Sequence, residues 1–230
     1  MDLGRPVGID HPPYVIASFD CRELLDVERA VAAIDAVADH HCDAIKLVRM
    51  PWQWGTPCFE RADARGLVLV PTPLDEAALA RYDWLGASAF SLVFDWSDLD
   101  LVARASRTGK PVIVQRGTAS DVELAEVVAT AHKNGDGGIA LVQSVLDSAL
   151  DGLDELHRHE VAIGVLDRST GADVAIAAIA HGASIVEKRL SARGGDDPAA
   201  VARATLGPLV RELEAAWASL ARRDRRWTLN

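Results

Sequence analysis

The sequence predicts an α/β fold, a single (β/α)8 TIM barrel, from two observations. Eight short and almost wholly apolar runs recur along the 230 residues, which is typical of parallel strands buried on both faces. Stretches with helical periodicity lie between them, and eight strand–helix units in a chain of this length match the usual size of such a barrel. The alternative is a doubly wound sheet. That fold usually carries a Gly-rich phosphate loop after an early strand, and residues 17–20 do not form one.

The predicted strands are, in order, residues 14–17, 44–48, 67–70, 89–93, 111–114, 138–142, 161–165 and 183–186. Helical periodicity is clearest over residues 26–40, 121–133 and 173–181. Capping residues mark helix starts and glycines mark helix ends: Asp26, Asp75, Ser97, Ser120 and Thr170 for the starts, and Gly66, Gly109, Gly135 and Gly182 for the ends. We expect one domain over 1–230, with the barrel at about 13–190, a C-terminal helix at about 198–222 and a basic tail at 222–230.

Charge and cysteine content exclude several classes of protein. The chain has 34 acidic and 24 basic residues and a formal net charge of -10, whereas a nucleic-acid-binding surface must be basic. No apolar run reaches the roughly 18 residues of a membrane helix, and the N-terminus has no apolar signal core. The three cysteines lack CxxC spacing and are expected as reduced thiols. These features predict a cytoplasmic protein without nucleic-acid or membrane partners.

Cations are concentrated where the predicted strands end, which is where TIM barrels form their sites. They come from five strands: Lys46, Arg49, Arg116, Arg168, Lys188 and Arg189. Such groups bind carboxylate or phosphate, so we expect a small anionic ligand, with Lys46, Arg116 and Arg168 converging on one pocket. The alternative is that some of these side chains point outward and pair with helix carboxylates. Because strand residues alternate, only one of Lys188 and Arg189 is expected to face the mouth.

Lys46 is the sharpest single candidate, because it lies inside an otherwise apolar strand and a buried ammonium is costly unless it is paired. It could bind a phosphate, form a Schiff base or act as an acid. The alternative is a structural salt bridge inside the barrel. We predict that Lys46 faces inward with Glu187 or Asp167 in reach.

Histidine-based metal chemistry is not predicted, because none of the seven histidines lies at the C-terminal end of a predicted strand. We therefore expect no metal and no cofactor. Trp52 and Trp54 follow the second strand and could form an aromatic wall over the mouth, although packing beneath a short loop is the alternative.

Several stretches, in this order, resemble the barrel domain of the sialic acid synthase family over roughly residues 13–190. They are residues 13–17, 42–46, 72–75, 108–113, 161–164 with Asp167, and 182–188. Enzymes of that family condense phosphoenolpyruvate with an amino-sugar aldehyde to make a nine-carbon keto acid. The resemblance implies functional roles for Lys46, Thr72, Asp167, Glu187 and Lys188.

The sequence departs from the family pattern at positions where the family binds its metal ion and substrate. Ser18 stands where the family has a glutamate, and Gln143 and Arg168 stand where it has two metal-binding histidines. Residues 115–117 replace a phosphate loop. The family's antifreeze-like C-terminal domain is expected to be absent. Arg168 could replace the positive charge of the metal ion, but not its Lewis acidity.

These observations predict a metal-free, remodelled condensing enzyme or lyase acting on a small phosphorylated or carboxylated substrate. The expected catalytic residues are Lys46, Asp167 and Glu187, and the expected anion-binding residues are Thr72, Arg116, Gln143, Arg168 and Lys188. Two alternatives stay open: an inactive barrel that serves as a binding or scaffold module, and a Schiff-base aldolase that uses Lys46. The expected partner is a small anion, and a homodimer is allowed for.

Overall fold

The fold is described from a computed structural model for residues 1–96, 98–145, 150–192 and 196–221. The predicted cap Ser97 and the predicted basic tail 222–230 lie outside the described residues. Within the described ranges, no helix is both long and apolar enough to cross a bilayer.

Eight parallel strands form a nearly closed barrel, as the sequence predicts. They are β1 Tyr14–Asp20, β2 Ala44–Val48, β3 Val68–Pro71, β4 Phe90–Val93, β5 Val112–Gln115, β6 Ile139–Val145, β7 Ala162–Asp167 and β8 Ile185–Arg189. The hydrogen-bonded order is β3-β2-β1-β8-β7-β6-β5-β4, so the first and last strands of the chain pair directly. The two ends of this ladder, β3 and β4, lie beside each other and complete the ring.

Helices follow the strands around the outside of the barrel. They are α1 Cys21–Leu24, α2 Val27–Asp39, α3 Gly55–Ala64, α4 Glu76–Trp84, α5 Leu99–Arg107, α6 Asp121–Asn134, α7 Asp151–Leu156, α8 Asp173–Ala180 and α9 Pro198–Ala221. The last of these packs against α2 and α8 and covers the side of the barrel at β8.

The predicted helix caps are partly confirmed. Asp26, Asp75 and Ser120 each accept a hydrogen bond from a first-turn amide of α2, α4 and α6, which satisfies a donor that has no partner within its helix. Thr170 does not cap α8. That helix starts three residues later, and the residue in the cap position, Ala172, has no side chain that can accept.

Side-chain alternation along the strands divides the core in two. One direction faces the helices and forms the large outer core, in which Ala17, Ile45 and Val186 are buried. The other faces the barrel interior, in which Ile16 and Ile185 pack together. Because the period is two residues, a side chain's position on its strand decides whether it can reach the interior.

The segment before β1 closes the N-terminal end of the barrel. Leu3 and Val7 are buried in the inner core, and the Tyr14 hydroxyl donates to the carbonyl oxygen of Leu3 at 2.7 Å. Arg5 donates to Asp43 at 2.8 Å and also to a backbone carbonyl just before β1. The opposite, C-terminal end stays open and contains the candidate site.

Candidate functional site

A cavity of about 450 Å³ opens at the C-terminal ends of the strands. Its lining comes from seven strands and the loops that follow them: Ser18, Asp20, Arg22, Glu23, Lys46, Val48, Arg49, Val93, Asp95, Gln115, Gly117, Ser144, Leu166, Arg168, Glu187 and Arg189. We call it the mouth cavity. Most of its lining is polar or charged, whereas the layer below it is apolar.

An ion pair forms the floor of the mouth cavity. The Lys46 ammonium lies 2.9 Å from Glu187 Oε2, and both residues are only 1% exposed. Gln115 Nε2 donates to the same carboxylate oxygen at 3.2 Å. The prediction that Lys46 faces inward with a carboxylate in reach is therefore confirmed, and the carboxylate is that of Glu187.

A second cluster of charges lies at the rim around Asp20. The buried Asp20 carboxylate accepts from Arg22 at 3.0 Å and also from Arg49, while Arg189 lies 3.7 Å from it. The Arg189 guanidinium donates to Glu23 at 3.3 Å. Two carboxylates thus hold three guanidinium groups in fixed positions around the opening.

Burial and mutual repulsion shift the pKa values of two guanidinium groups at the rim. Burial, followed by repulsion from Arg189, lowers the pKa of Arg49 from its usual value. Burial also lowers the pKa of Arg189, against the opposing attraction of Glu23. Arg49 adopts a left-handed backbone with φ 56°, which few residues other than glycine do, and such strain is concentrated at functional sites.

Arg168 differs from the other cations of the mouth cavity. It is exposed, and its side chain makes no hydrogen bond or ion pair with the part of the chain that the structure describes. It also lines a neighbouring cleft of about 400 Å³ between the β7–α8 loop and α9. Arg168 is therefore a cation with unused donors between two openings.

The predicted convergence of three cations is wrong for Arg116. Its guanidinium donates to Glu155 at 2.8 Å and to the carbonyl of Ala119 at 3.1 Å, and it does not line the mouth cavity. Gln143 also lies outside the cavity lining, and its amide donates to the adjacent carbonyl of Ser144. The reason is strand alternation, because the neighbours Gln115 and Ser144 take the inward positions.

Asp167 and Lys188 also lie outside the mouth cavity. The two groups are buried and form their own ion pair at 2.6 Å on the outer side of β7 and β8. Of Lys188 and Arg189, only one was expected to face the mouth, and it is Arg189. An acid–base role for Asp167 at a substrate in the cavity is thus not supported by its position.

Thr72 follows β3 and is buried, but it is not part of the cavity lining. Its hydroxyl and that of Ser91 on β4 make no hydrogen bond within the described part of the chain. Native proteins seldom leave buried hydroxyls unpaired. Thr72 directly follows β3 and Ser91 lies on β4, the strands at the two ends of the ladder.

The tryptophan pair does not cover the mouth. Trp54 is buried in the outer core, as the packing alternative predicts. Trp52 is 69% exposed, and the Arg81 guanidinium lies 5.9 Å from the centre of its ring. Neither residue lines the mouth cavity.

The turn after β5 is occupied by the chain's own carboxylate. Asp95 Oδ1 accepts from the backbone N–H of Thr118 at 3.0 Å and from its hydroxyl at 2.5 Å. Gly117 has φ 56°, and a Cβ atom there would overlap the Asp95 carboxyl group. A carboxylate of the chain itself thus binds the turn that follows Arg116.

A divalent metal, which the family resemblance implies, does not fit the residues present. Of the two positions where the family has histidine ligands, Gln143 faces away from the cavity and Arg168 is a cation. Across the described ranges, no group of three or more His, Cys, Asp or Glu residues could hold a metal ion. The positive charge at this end of the barrel is supplied by arginine and lysine.

The expected catalytic and anion-binding residues leave out much of the polar lining of the cavity. The omitted residues include Asp20, Arg49, Gln115 and Arg189, although Arg49 and Arg189 are among the cations expected at the strand ends. The two-residue period of a strand is enough to place three of these four, Asp20, Gln115 and Arg189, on the inward face. If Ser18, Glu187 and the residues in phase with them face inward, then Asp20 and Arg189 must do so too. Arg49 follows the end of β2, and no period predicts its left-handed backbone.

Comparison with known proteins identifies the family to which the chain belongs. The family model described as NeuB family matches residues 16–225. Over 147 residues the chain is 28% identical to the pseudaminic acid synthase of Helicobacter pylori, an alignment that covers 60% of this chain and 43% of that protein. The chain thus spans less than half the length of the curated relatives that it matches first.

Solved structures share the fold. One is an N-acetylneuraminic acid synthetase from Leptospira borgpetersenii, solved in complex with citrate. It matches this chain with a TM-score of 0.79 at 23% identity, and the superposition covers 92% of this chain and 86% of the synthetase chain. A truncated 3-deoxy-D-arabino-heptulosonate 7-phosphate synthase from Thermotoga maritima has a TM-score of 0.72 at 18% identity, with 91% and 88% covered. Because the family model spans most of the sequence, the chain belongs to the NeuB family, whose members are condensing enzymes of sugar biosynthesis.

Proposed function

We propose that this protein is a cytoplasmic, metal-independent condensing enzyme or lyase that acts on a small phosphorylated or carboxylated substrate in the mouth cavity. The observation that carries the proposal is the buried pair of Lys46 and Glu187, which lies at the floor of a cavity whose rim contains arginines. The family supports the reaction class, because its members condense smaller molecules into sugar acids.

The anionic part of the substrate would bind to Arg168 and to the donors of Lys46 that Glu187 does not use. Arg168 has a full set of unused donors within the described residues, so it can form the forked bond that guanidinium groups make with carboxylate or phosphate. The Arg49 and Arg189 groups are held by Asp20 and Glu23. They would contribute a positive potential rather than direct bonds.

For carbon–carbon bond formation, the C=C electrons of an enol in one substrate form the new bond to the carbonyl carbon of the other. The enol oxygen becomes a carbonyl and releases its proton, and the oxygen of the attacked carbonyl becomes an alkoxide. The ammonium of Lys46 and the guanidinium of Arg168 would stabilise that negative charge. Protonation of the alkoxide completes the step, and Glu187 would carry the proton released by the enol to that oxygen. In a lyase the same groups act in reverse order.

The Schiff-base alternative gains no support from the geometry. A lysine that forms an imine must first be a neutral amine. Here the Lys46 nitrogen forms an ion pair with Glu187 Oε2 at 2.9 Å in a buried site, so it is not a free nucleophile. Borohydride trapping with a keto acid would test this directly, and we expect no covalent adduct at Lys46.

The proposal is tested by ligand binding followed by catalysis. Phosphoenolpyruvate, sugar phosphates, keto acids and citrate are screened by thermal shift with and without manganese, because a bound ligand raises the unfolding temperature by mass action. We expect stabilisation by at least one anion without a requirement for manganese, and its loss in Arg168→Ala. Condensation or cleavage of the selected compounds should then disappear in Glu187→Gln.

The scaffold alternative is decided by the same experiment. An anion that binds without any turnover in the wild type, over all pairs of compounds tested, would favour an inactive binding module. No stabilisation by any anion, or binding that depends on manganese, would refute the proposal.

A further inference from the structure

We propose that the buried pair of Asp167 and Lys188 is a positioning device that fixes Arg168 at the wall of the mouth cavity. The two residues lie outside the cavity, so they do not touch a substrate bound there. They would act through the loop that carries Arg168. This inference rests on the proposed function only in assigning anion binding to Arg168.

Lys188 uses all three of its N–H donors on that loop. Its ammonium donates to Asp167 Oδ2 at 2.6 Å, to the carbonyl of Ser169 at 2.9 Å and to the carbonyl of Gly171 at 2.6 Å. The residue is 1% exposed, so these bonds have no competition from solvent. One side chain of β8 thereby holds the end of β7 and two points of the β7–α8 loop.

Asp167 also binds the start of this loop through hydrogen bonds from Ser169. Its second carboxylate oxygen accepts from the backbone N–H of Ser169 at 2.8 Å and from the Ser169 hydroxyl at 2.6 Å. Both oxygens are therefore engaged, and the residue is fully buried. We call the bonds among Asp167, Lys188, Ser169 and Gly171 the loop clamp.

Arg168 lies between the bonded points of the loop clamp. Its backbone N–H donates to the carbonyl of Val145 at 3.1 Å, which ties the same residue to β6. Its side chain, by contrast, has no partner in the described part of the chain. The direction in which the guanidinium leaves the loop is therefore set by the backbone, and the loop clamp fixes that backbone.

Stability alone does not require a charged pair here. A buried ion pair loses hydration, and apolar residues of similar volume often stabilise a fold as well or better. Apolar side chains, however, cannot hold the two loop carbonyls that Lys188 holds. The distinctive effect of the loop clamp is thus geometric: it reduces the freedom that Arg168 would lose when it binds an anion.

The test removes both charges at once, because a single substitution would leave an unpaired buried ion. The double variant Asp167→Leu/Lys188→Met is compared with a matched control, Asp83→Leu/Lys110→Met, which removes an ion pair of 2.5 Å that lies outside both cavities. Amide hydrogen exchange of residues 168–171 and the affinity for citrate are measured in both. Ser169→Ala serves as a milder variant if the double variant does not fold.

We expect the double variant to speed amide exchange in residues 168–171 at least tenfold and to weaken citrate binding at least fivefold. In an Arg168→Ala background the same change should have no further effect on affinity, because the loop clamp acts through that arginine. The control should alter neither quantity. Unchanged exchange would overturn the inference, and so would a loss of affinity that persists without Arg168.

Anion binding by the wild type and by Arg168→Ala shows separately whether the proposed function itself fails. If the wild type does not bind citrate or any other anion of the screen, Arg168 has no ligand to be positioned for, and the positioning role is refuted whatever the exchange rates. If anions bind but Arg168→Ala leaves their affinity unchanged, the site assignment fails at Arg168 and the inference fails with it.

Discussion

Lys46 and Glu187 each allow the other to be charged inside the barrel. Both are removed from water. Within the described structure their hydrogen bonds are the 2.9 Å contact between them and the bond that the Gln115 amide donates to Glu187. Removing one partner from such a pair leaves a buried charge without compensation, which typically costs about 3–5 kcal/mol. The pair is therefore sensitive to substitution whether or not it takes part in catalysis.

Lys46→Met should lower the free energy of unfolding by about 3 kcal/mol or more in urea titrations. If Lys46 also binds the substrate anion, affinity should fall about tenfold or more, since a hydrogen bond to a charged group contributes about 1.5–3 kcal/mol. Lys46→Met combined with Glu187→Met should recover much of the stability but not the affinity. Unchanged stability together with unchanged affinity would end the assignment of this site.

At the scale of the strand, one rule sorts the charged residues. Alternate residues face the interior, so Glu187 and Arg189 line the mouth cavity while Lys188 does not. The same rule puts Gln115 inside and Arg116 outside. Two arginines that the sequence suggests as equivalent, Arg116 and Arg168, therefore have different surroundings and should respond differently to substitution.

Arg168→Ala should weaken citrate binding at least fivefold while changing the free energy of unfolding by less than about 0.5 kcal/mol. An exposed side chain that has no partner among the described residues contributes little to folding. Arg116→Ala should leave citrate affinity unchanged. Its ion pair with the exposed Glu155 predicts a loss of stability of only about 0–1 kcal/mol. Calorimetric titration of both variants checks the difference, and equal losses of affinity would contradict the assignment of Arg116 to the outside.

At the scale of the whole molecule, one end of the barrel is filled and the other is open. The N-terminal end is filled by the segment before β1, in which Leu3 is 1% exposed. Terminal residues are usually poorly ordered unless something ties them down, and here the Tyr14 hydroxyl and the Arg5–Asp43 pair do so. The C-terminal end remains open for chemistry.

Leu3→Ala should lower the free energy of unfolding by about 2–5 kcal/mol, the range for a leucine truncated in a core. The matched control is Ile9→Ala in the same segment, since Ile9 is 47% exposed and its truncation should cost far less. Urea unfolding of both variants is the measurement. A change of less than about 0.5 kcal/mol in Leu3→Ala would mean that the segment does not contribute to the barrel core.

The buried thiols predict a loss of stability at high pH. Burial raises the pKa of Cys58 to about 12 and is the main cause of a similar rise, to about 12, for Cys42. The folded state therefore holds protons that the unfolded state releases above about pH 9, so stability present below that pH is lost as the pH rises toward 12. Linkage gives a slope of about 1.4 kcal/mol per pH unit for each thiol.

Unfolding free energies measured between pH 8 and pH 11 check this, with Cys58→Ala as the comparison. The variant should lose less stability over this range than the wild type does, because it lacks one of the protons that the buried thiols retain in the folded state. Parallel pH profiles would contradict the prediction. A profile that rises with pH would contradict its sign.

The fold and the orientation of Lys46 could be predicted from the sequence because both depend on local patterns. Eight apolar runs separated by amphipathic stretches indicate a barrel, and a lysine within such a run must be paired. Strand alternation, applied strictly, would also have placed Arg189 inside and both Arg116 and Lys188 outside.

Tertiary structure alone decided which charges meet. The pairing of Asp20 with Arg49, of Asp95 with Thr118, and of Lys188 with the β7–α8 loop joins residues that no sequence period relates. Such contacts depend on the register between strands and on loop paths, which are set only when the barrel closes on itself. A repeating sequence pattern determines which way a side chain faces. The residue that this side chain pairs with is determined by the packing of the whole barrel.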